Sequence, residues 1–365
     1  MSPESDSATP AAIDPDRMRE MARTVFGAYS GAVTSAMIYL GDRLGLYTAM
    51  AGQPAVSSEE LAAKTGLSER WLREWLHQQG AAGTLVHEGD GRFALSAEGV
   101  ALLADERHPA FGAGFFSHFP QTMAIAEKLP QAFETGLGLP YDAFGAEGAV
   151  GIERGFAPWF RSMLVPVALP RVAGLVEQLE AGIEVADVGC GTGVAMIEMG
   201  RAFPESSFHG YELSQHAIER GQANASEAGV ANVHFHHVDE EPLPGDARFA
   251  FVTTFDCLHD MTDPASTVAA IHRAIAPEGR WLVADIKCRP SYDENVAENP
   301  MAAMMYGTSV MTCMSSALSR PGGAGLGTLG LHAGLLEEMA RDAGFGEFEE
   351  LDFGHPVNAF YLVRP

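Results

Sequence analysis

The stretch Glu184-Val-Ala-Asp-Val-Gly-Cys-Gly-Thr-Gly193 limits the fold of this chain more than any other. A short apolar run ends in alternating glycines, and a helical pattern opens at once from Val194. Glycines let backbone approach a ligand closely, and a helix N-terminus offers unpaired N–H groups. From residue 183 onward, apolar runs at 183–188, 207–212, 233–238, 249–255 and 280–286 alternate with helical patterns at 194–203, 214–228 and 264–276. Strand–helix alternation of this kind predicts an α/β, doubly wound, mostly parallel sheet covered on both faces. Two late segments, 348–353 and 358–363, read as an added edge hairpin.

The glycine loop does not follow the usual nucleotide patterns. In a dinucleotide fingerprint a third glycine would stand where Val194 is, and no lysine follows as in a P-loop. Asp187 stands two residues before Gly189, where a carboxylate can face a cationic amine. Glu212 closes the second strand, 19 residues after Gly193, in a place suited to both hydroxyls of a ribose. A solvated carboxylate at a helix start is the plainer account of Glu212. Asp239 closes the third strand; its neighbours Glu240 and Glu241 are equally well explained as an acidic turn. The sequence D-x-G-x-G-x-G closely resembles motif I of the class I S-adenosylmethionine-dependent methyltransferases. That resemblance covers roughly residues 183–365. It implies a Rossmann-like domain with a seven-stranded sheet and S-adenosylmethionine as cofactor. Asp187, Gly189, Gly191 and Gly193 would then hold the methionine end, Glu212 the ribose, Asp239 the adenine amino group, and backbone near Phe255 the rest of the cradle.

Phe255-Asp-Cys-Leu-His-Asp-Met-Thr-Asp-Pro264 resembles the His-Asp-Trp segment of small-molecule O-methyltransferases that join a winged-helix-like dimerisation domain to a methyltransferase domain. The resemblance makes His259 the general base, at the carboxyl end of a strand where open α/β sheets place ligands. A neutral imidazole can take a phenol or enol proton near pH 7. A histidine that merely anchors the loop is the alternative. Met261 replaces the family's tryptophan, and Asp256, Asp260 and Asp285 are all candidates to orient the ring. A thiol acceptor would need no strong base.

Ahead of this domain, helical periodicity runs from about Met18 to Leu44. Ser57 and Glu60 have the spacing of a capping box, and a further helix from Ser68 places Trp71, Leu72, Trp75 and Leu76 on one face. Apolar residues around Gly89-Asp90-Gly91 form a hairpin signal. This is the order of an α-helical, winged-helix-like domain. The expected divisions are 1–16 as a disordered N-terminus, 17–105 as a dimerisation domain, 106–180 as a helical bridge and 181–365 as the methyltransferase domain. Between residues 55 and 103 four basic residues face seven acidic ones, and the would-be recognition helix carries Glu69 and Glu74. The whole chain has 23 Lys plus Arg against 48 Asp plus Glu. That balance repels phosphate backbones and anionic lipid, which argues against nucleic-acid or membrane partners and leaves a homodimer and a small-molecule acceptor.

Tyr29, in the small-residue stretch Phe26-Gly-Ala-Tyr-Ser-Gly31, and His118, among the aromatics of Phe115-Phe-Ser-His-Phe119, are candidate acceptor contacts. Residues 300–314 are rich in methionine and precede Arg320-Pro-Gly-Gly-Ala-Gly-Leu-Gly327, an adaptable pocket wall and a lid, or else plain core and a surface loop. This arrangement is also similar to a group of bacterial winged-helix methyltransferases. The four cysteines are far apart, with neither disulfide nor zinc spacing, so no metal is expected. The start lacks the pattern of a signal peptide, no run spans a bilayer, and a cytoplasmic location follows as an expectation. The combined expectation is methyl transfer to a small molecule, at a hydroxyl. Sulfur or nitrogen methylation, a ligand-sensing transcriptional regulator and a nicotinamide oxidoreductase remain as alternatives.

Overall fold

A computed structural model of the chain describes residues 13–365. Most of the stretch 1–16, expected to be disordered, lies outside the described residues; where they begin, the chain enters a helix at once. Two compact units meet between Ala104 and Asp105.

In the first unit, α1 spans Pro15–Arg43. Asp14 caps it, accepting from the Asp16 amide at 2.8 Å, and Pro15 supplies a preset first turn. After α2 (Leu46–Met50), α3 (Ser58–Thr65) begins at the predicted capping box between Ser57 and Glu60 and stops at Gly66. Helix α4 (Glu69–Ala82) precedes the hairpin of β1 (Val86–Gly89) and β2 (Arg92–Ala94), and α5 (Ala97–Leu103) closes the unit. The winged-helix order is therefore present. One side chain departs from expectation: Leu72, Trp75 and Leu76 are buried, but Trp71 is 80% exposed. Positions 72, 75, 76 and 79 share one helix face, and residue 71 is turned about 100° away from it. Trp75 donates through its indole N–H to the Met37 carbonyl at 3.0 Å, tying α4 to α1.

The second unit is built on β3 (Glu184–Val188), β4 (Ser207–Glu212), β5 (Val233–His237), β6 (Phe249–Phe255), β7 (Ile275–Ile286), β8 (Glu347–Leu351) and β9 (Asn358–Arg364). They form one seven-stranded sheet in the order β5-β4-β3-β6-β7-β9-β8. The pairs among β3 to β7 are parallel; β9 runs antiparallel to both β7 and β8. The late hairpin is thus real, but only β8 is an edge, since β9 is inserted beside β7. Alternate strand residues feed opposite faces, as strand geometry requires. Val185, Phe208, Phe251 and Leu282 pack toward Met196, Met199 and Leu179 on one side. Ala186, Val252, Trp281 and Val283 meet Val268, Ile271 and Leu336 on the other. The helices 106–180, expected as a bridge, belong to this unit. Among them Gly145–Trp159 runs on into a wide π-helical turn, Phe160–Ala168, which brings Phe160 against Phe255 with ring centroids 5.1 Å apart.

Candidate functional site

Parallel strands deliver their C-terminal tips to one edge of the sheet, and a cleft of about 520 Å³ lies there. Asp187, Gly189, Gly191, Glu212, Asp239 and Phe255 all line it. The predicted cofactor residues are thereby brought together from four strands. Gly193 sits just behind, at the start of the helix Val194–Ala202, with a φ of +70°. A Cβ on Gly193 would stand 2.5 Å from the Phe235 ring, so the loop needs glycine there for space and for backbone conformation.

Asp187 is 2% exposed. Its Oδ1 accepts from Thr253 Oγ1 at 2.7 Å, while Oδ2 is buried with no partner. Burial pushes this carboxyl up to about 7, against the Thr253 hydrogen bond and with the Glu212 charge. An orphaned buried carboxylate oxygen facing a cleft calls for a donor, and a cation satisfies it best. Glu212 is held differently: it accepts from the amides of Gly191 (2.8 Å), Leu213 (2.7 Å) and Ser214 (2.8 Å). Its carboxyl is raised by burial and partly restrained by those three amides. The hydrogen bond from Gly191 fixes the glycine loop of β3 to the tip of β4. Asp239 lies just past β5 and is exposed at the rim.

His259 lies in the short turn Leu258–Asp260 after β6 and is 3% exposed. Asp256, Cys257, Asp260 and Met261 line the cleft, whereas His259 is set behind that wall. Its Nδ1 is 2.6 Å from Asp285 Oδ1, so Asp285 is the carboxylate that orients the ring. The pairing of Phe255 with Ala284 in β6 and β7 puts the two side by side. The Ile286 amide donates to the same Oδ1 at 2.7 Å, and Oδ2 is buried without a partner. Burial alone would lower His259, but the Asp285 charge and hydrogen bond, aided by the Cys313 thiol within hydrogen-bonding reach, hold it well above its ordinary value. Asp256 and Asp260 are each pushed up to about 7, chiefly by burial. Asp256 has a φ of +51° and accepts from Asn358 Nδ2, which places its backbone in a conformation uncommon outside glycine.

The remaining candidates sit elsewhere. Tyr29 is 73% exposed on α1 of the first unit. His118 does not line the cleft; its ring packs on Gly151, and burial lowers its pKa and leaves Nδ1 without a partner. The methionines of 300–314 do not line the cleft either: Met305 is buried with Ala302 and Leu329, the ordinary core alternative. The glycine-rich loop is pinned, Ala324 donating to the Thr262 carbonyl (2.9 Å) and Gly327 to that of His259 (3.2 Å). Sequence reading missed Tyr141, Ser316 and Ser319 on the cleft wall, since no motif marks them, and it named Arg320 only as the first residue of a lid or surface loop. Among the described residues no cluster of three or more His, Cys, Asp or Glu is arranged for a metal ion, and no single helix is long and apolar enough to cross a membrane.

Comparison with known proteins agrees with this fold. Residues 179–343 match the family described as "Methyltransferase domain", and residues 32–104 match the "Rv2258c-like winged HTH domain". The chain is 33% identical over 123 residues to 27-O-demethylrifamycin SV methyltransferase of Amycolatopsis mediterranei, covering 33% of this chain and 44% of that protein. It is 29% identical over 130 residues to ubiquinone biosynthesis O-methyltransferase of Leptothrix cholodnii, covering 34% and 53%. The chain spans about half the length of the curated relatives it matches. Solved structures of like fold include an O-methyltransferase family protein from Burkholderia thailandensis (TM-score 0.66, 16% identity, 97% of this chain and 98% of that one). Another is human N-acetylserotonin methyltransferase in complex with SAM (TM-score 0.65, 15% identity, 98% and 99%). Residues 179–343 are therefore a methyltransferase domain of the class I fold, carried behind a winged helix-turn-helix domain of the Rv2258c-like kind.

Proposed function

We propose that this protein transfers the methyl group of S-adenosylmethionine to a hydroxyl of a small-molecule acceptor. The observation that carries the reading is the pair of buried carboxylates at adjacent strand tips, Asp187 with an open oxygen and Glu212 locked by three amides, facing one cleft. A cationic, nucleoside-bearing ligand fits this set. The open Asp187 oxygen suits the methionine amine, Glu212 the ribose hydroxyls, and Asp239 at the rim the adenine amino group. Phe255 and the glycine loop give the flat apolar and backbone surfaces between them. Bound there, the cofactor would supply an activated methyl group and a thioether leaving group.

The chain's own residues have two tasks. The first is positioning, since an in-line displacement gains most from a fixed approach. The second is taking the acceptor's proton. Asp285 keeps the proton of the imidazole on Nδ1, which leaves Nε2 as the basic nitrogen. His259 would receive the hydroxyl proton there. Incubation of the protein with labelled cofactor and a metabolite extract, read by mass spectrometry, tests the reading: a product heavier by one methyl group supports it. Calorimetry showing no binding of S-adenosylhomocysteine defeats it. A His259→Ala variant with full turnover favours a sulfur or nitrogen acceptor instead.

Two further lines belong to the same proposal. Helix α1 exposes Met18, Met21, Val25, Phe26, Tyr29 and Val33, an apolar stripe at helical spacing that suits a second copy of the chain in a homodimer. The arginines of α4 are engaged by its own acids, Arg70 with Glu74 and Arg73 with Glu69, both at 2.7 Å. That pairing argues against a regulator that reads DNA, and supports a scaffold role for the winged-helix unit. The four free cysteines suit a reducing, cytoplasmic setting.

A further inference from the structure

The cleft is divided by charge. Glu153, Asp187, Glu212, Asp239, Asp256, Asp260 and Asp263 put carboxylates on its wall, and Arg320 is the only basic side chain among the lining residues. Arg320 is exposed, and its side chain makes no hydrogen bond or ion pair among the described residues. Ser316, one turn earlier, is buried, and Ser319 adjoins it; neither hydroxyl is engaged. Tyr141 brings a third open hydroxyl, set near Asp260, Glu212 and Cys313. Burial and those acidic neighbours raise its pKa, so it stays a donor.

These donors lie on segments that are tied together. The Gly138 amide donates to the Leu318 carbonyl at 3.0 Å and the Leu139 amide to Ser315 Oγ at 2.8 Å. A Cβ on Gly138 would meet the Ser315 carbonyl oxygen at 2.0 Å, so the two segments touch backbone to backbone. At its other end this strap is held by Ser214 Oγ, which donates to Asp142. The loop after Arg320 is bound in turn to the His259 turn through Thr262 and His259 carbonyls. Ser316, Ser319 and Arg320 therefore stand on the His259 side of the cleft, and Tyr141 lies between Asp260 and Glu212.

We propose that the acceptor carries a carboxylate, received by Arg320 with Ser316, Ser319 and Tyr141. Resting on the methyltransferase reading, this assigns the substrate class: a hydroxylated organic acid. A guanidinium beside two hydroxyls matches a carboxylate in geometry and charge, and it offsets the repulsion an acid would otherwise meet in this cleft. An anionic acceptor is also drawn toward a cationic methyl donor.

The test is calorimetry on full-length protein loaded with S-adenosylhomocysteine, titrated with a panel of hydroxybenzoic acids and their matched methyl esters. Acids should bind at least tenfold tighter than esters, a ratio that Arg320→Ala abolishes and Arg320→Lys partly restores. The Arg320→Ala protein should bind S-adenosylhomocysteine within twofold of the parent. Equal binding of acids and esters, no binding of any acid, or an acid preference that survives Arg320→Ala overturns the assignment. So does a tenfold loss of S-adenosylhomocysteine affinity in Arg320→Ala with no loss for 5′-methylthioadenosine, which lacks the carboxylate: the patch would then read the cofactor's own acid group. Failure of the parent protein to bind S-adenosylhomocysteine at all would sink the methyltransferase reading itself, and is seen before any acid is added.

Discussion

Replacing Asp285 by Asn isolates the charge of the His259–Asp285 pair from its geometry. Asp285 Oδ1 already accepts from the Ile286 amide at 2.7 Å as well as facing His259 Nδ1 at 2.6 Å. In the Asn variant the side-chain oxygen stays at that position, because turning the amide would set N–H against N–H at Ile286. The proton of His259 thus remains on Nδ1 and Nε2 remains basic. What is lost is the difference between a charge-assisted and a neutral hydrogen bond, about 1–2 kcal/mol. At about 1.36 kcal/mol per decade, the rate of methyl transfer should fall roughly 5- to 30-fold. Stability should change by no more than about 1 kcal/mol, because the new amide nitrogen takes the place of an oxygen that had no partner. The pH profile carries the sign. Neutral His259 is the active form, so activity rises with pH through its pKa, which Asp285 holds well above the ordinary histidine value. Removing the charge lowers that pKa and moves the rising limb to lower pH. The assays are initial rates against pH and an NMR titration of the His259 ring, which needs no acceptor. A limb that stays in place refutes the electrostatic argument; a fall of about a thousandfold or more refutes the claim that Ile286 fixes the amide.

Other consequences are as direct. Glu212→Ala removes the acceptor of three amides and should weaken S-adenosylhomocysteine binding by roughly tenfold or more, measured by calorimetry. Gly193→Ala forces a left-handed residue against the Phe235 ring and should cost about 2–4 kcal/mol in urea unfolding. Asp187, Asp256 and Asp260 each titrate near 7 in the fold and near 3.8 when unfolded. The folded state then holds extra protons between these values, so the ligand-free protein should lose stability as pH rises from about 4 to about 7. Thermal melts across that range should show it, and stability increasing through the window would contradict the burial of these carboxyls. On α1, Phe26→Glu with Met21→Glu should convert a dimer to a monomer in light scattering without lowering the melting temperature of the second unit.

The sheet was readable because central strands such as β3 and β6 are short apolar runs closed by a turn signal, and the helices between them repeat at 3.6. The bounds of β4 and β6 coincide with the predicted ones. Residues at strand tips were readable for the same reason: Asp187 and Glu212 are local to their strands. Asp285 was one of three candidates, because 26 residues separate it from His259 and only the β6–β7 pairing sets them side by side. Tyr141 and Ser316 lay beyond reach, as a cleft wall assembled from distant loops leaves no periodic trace. His118 was placed by its aromatic neighbours alone, and sequence could not show that its ring packs on Gly151 away from the cleft.

The antiparallel insertion of β9 beside β7 gives the buried imidazole a second use. Asp285 pairs with Ala359 across β7 and β9, and its neighbour Ala284 pairs with Phe255 on β6. A slip of one residue in either ladder would turn that carboxylate to the opposite face. The downfield resonance of the proton shared between imidazole and carboxylate should therefore exist only when three strands have zipped in register. A single spectral line would time the closure of these three central strands during refolding.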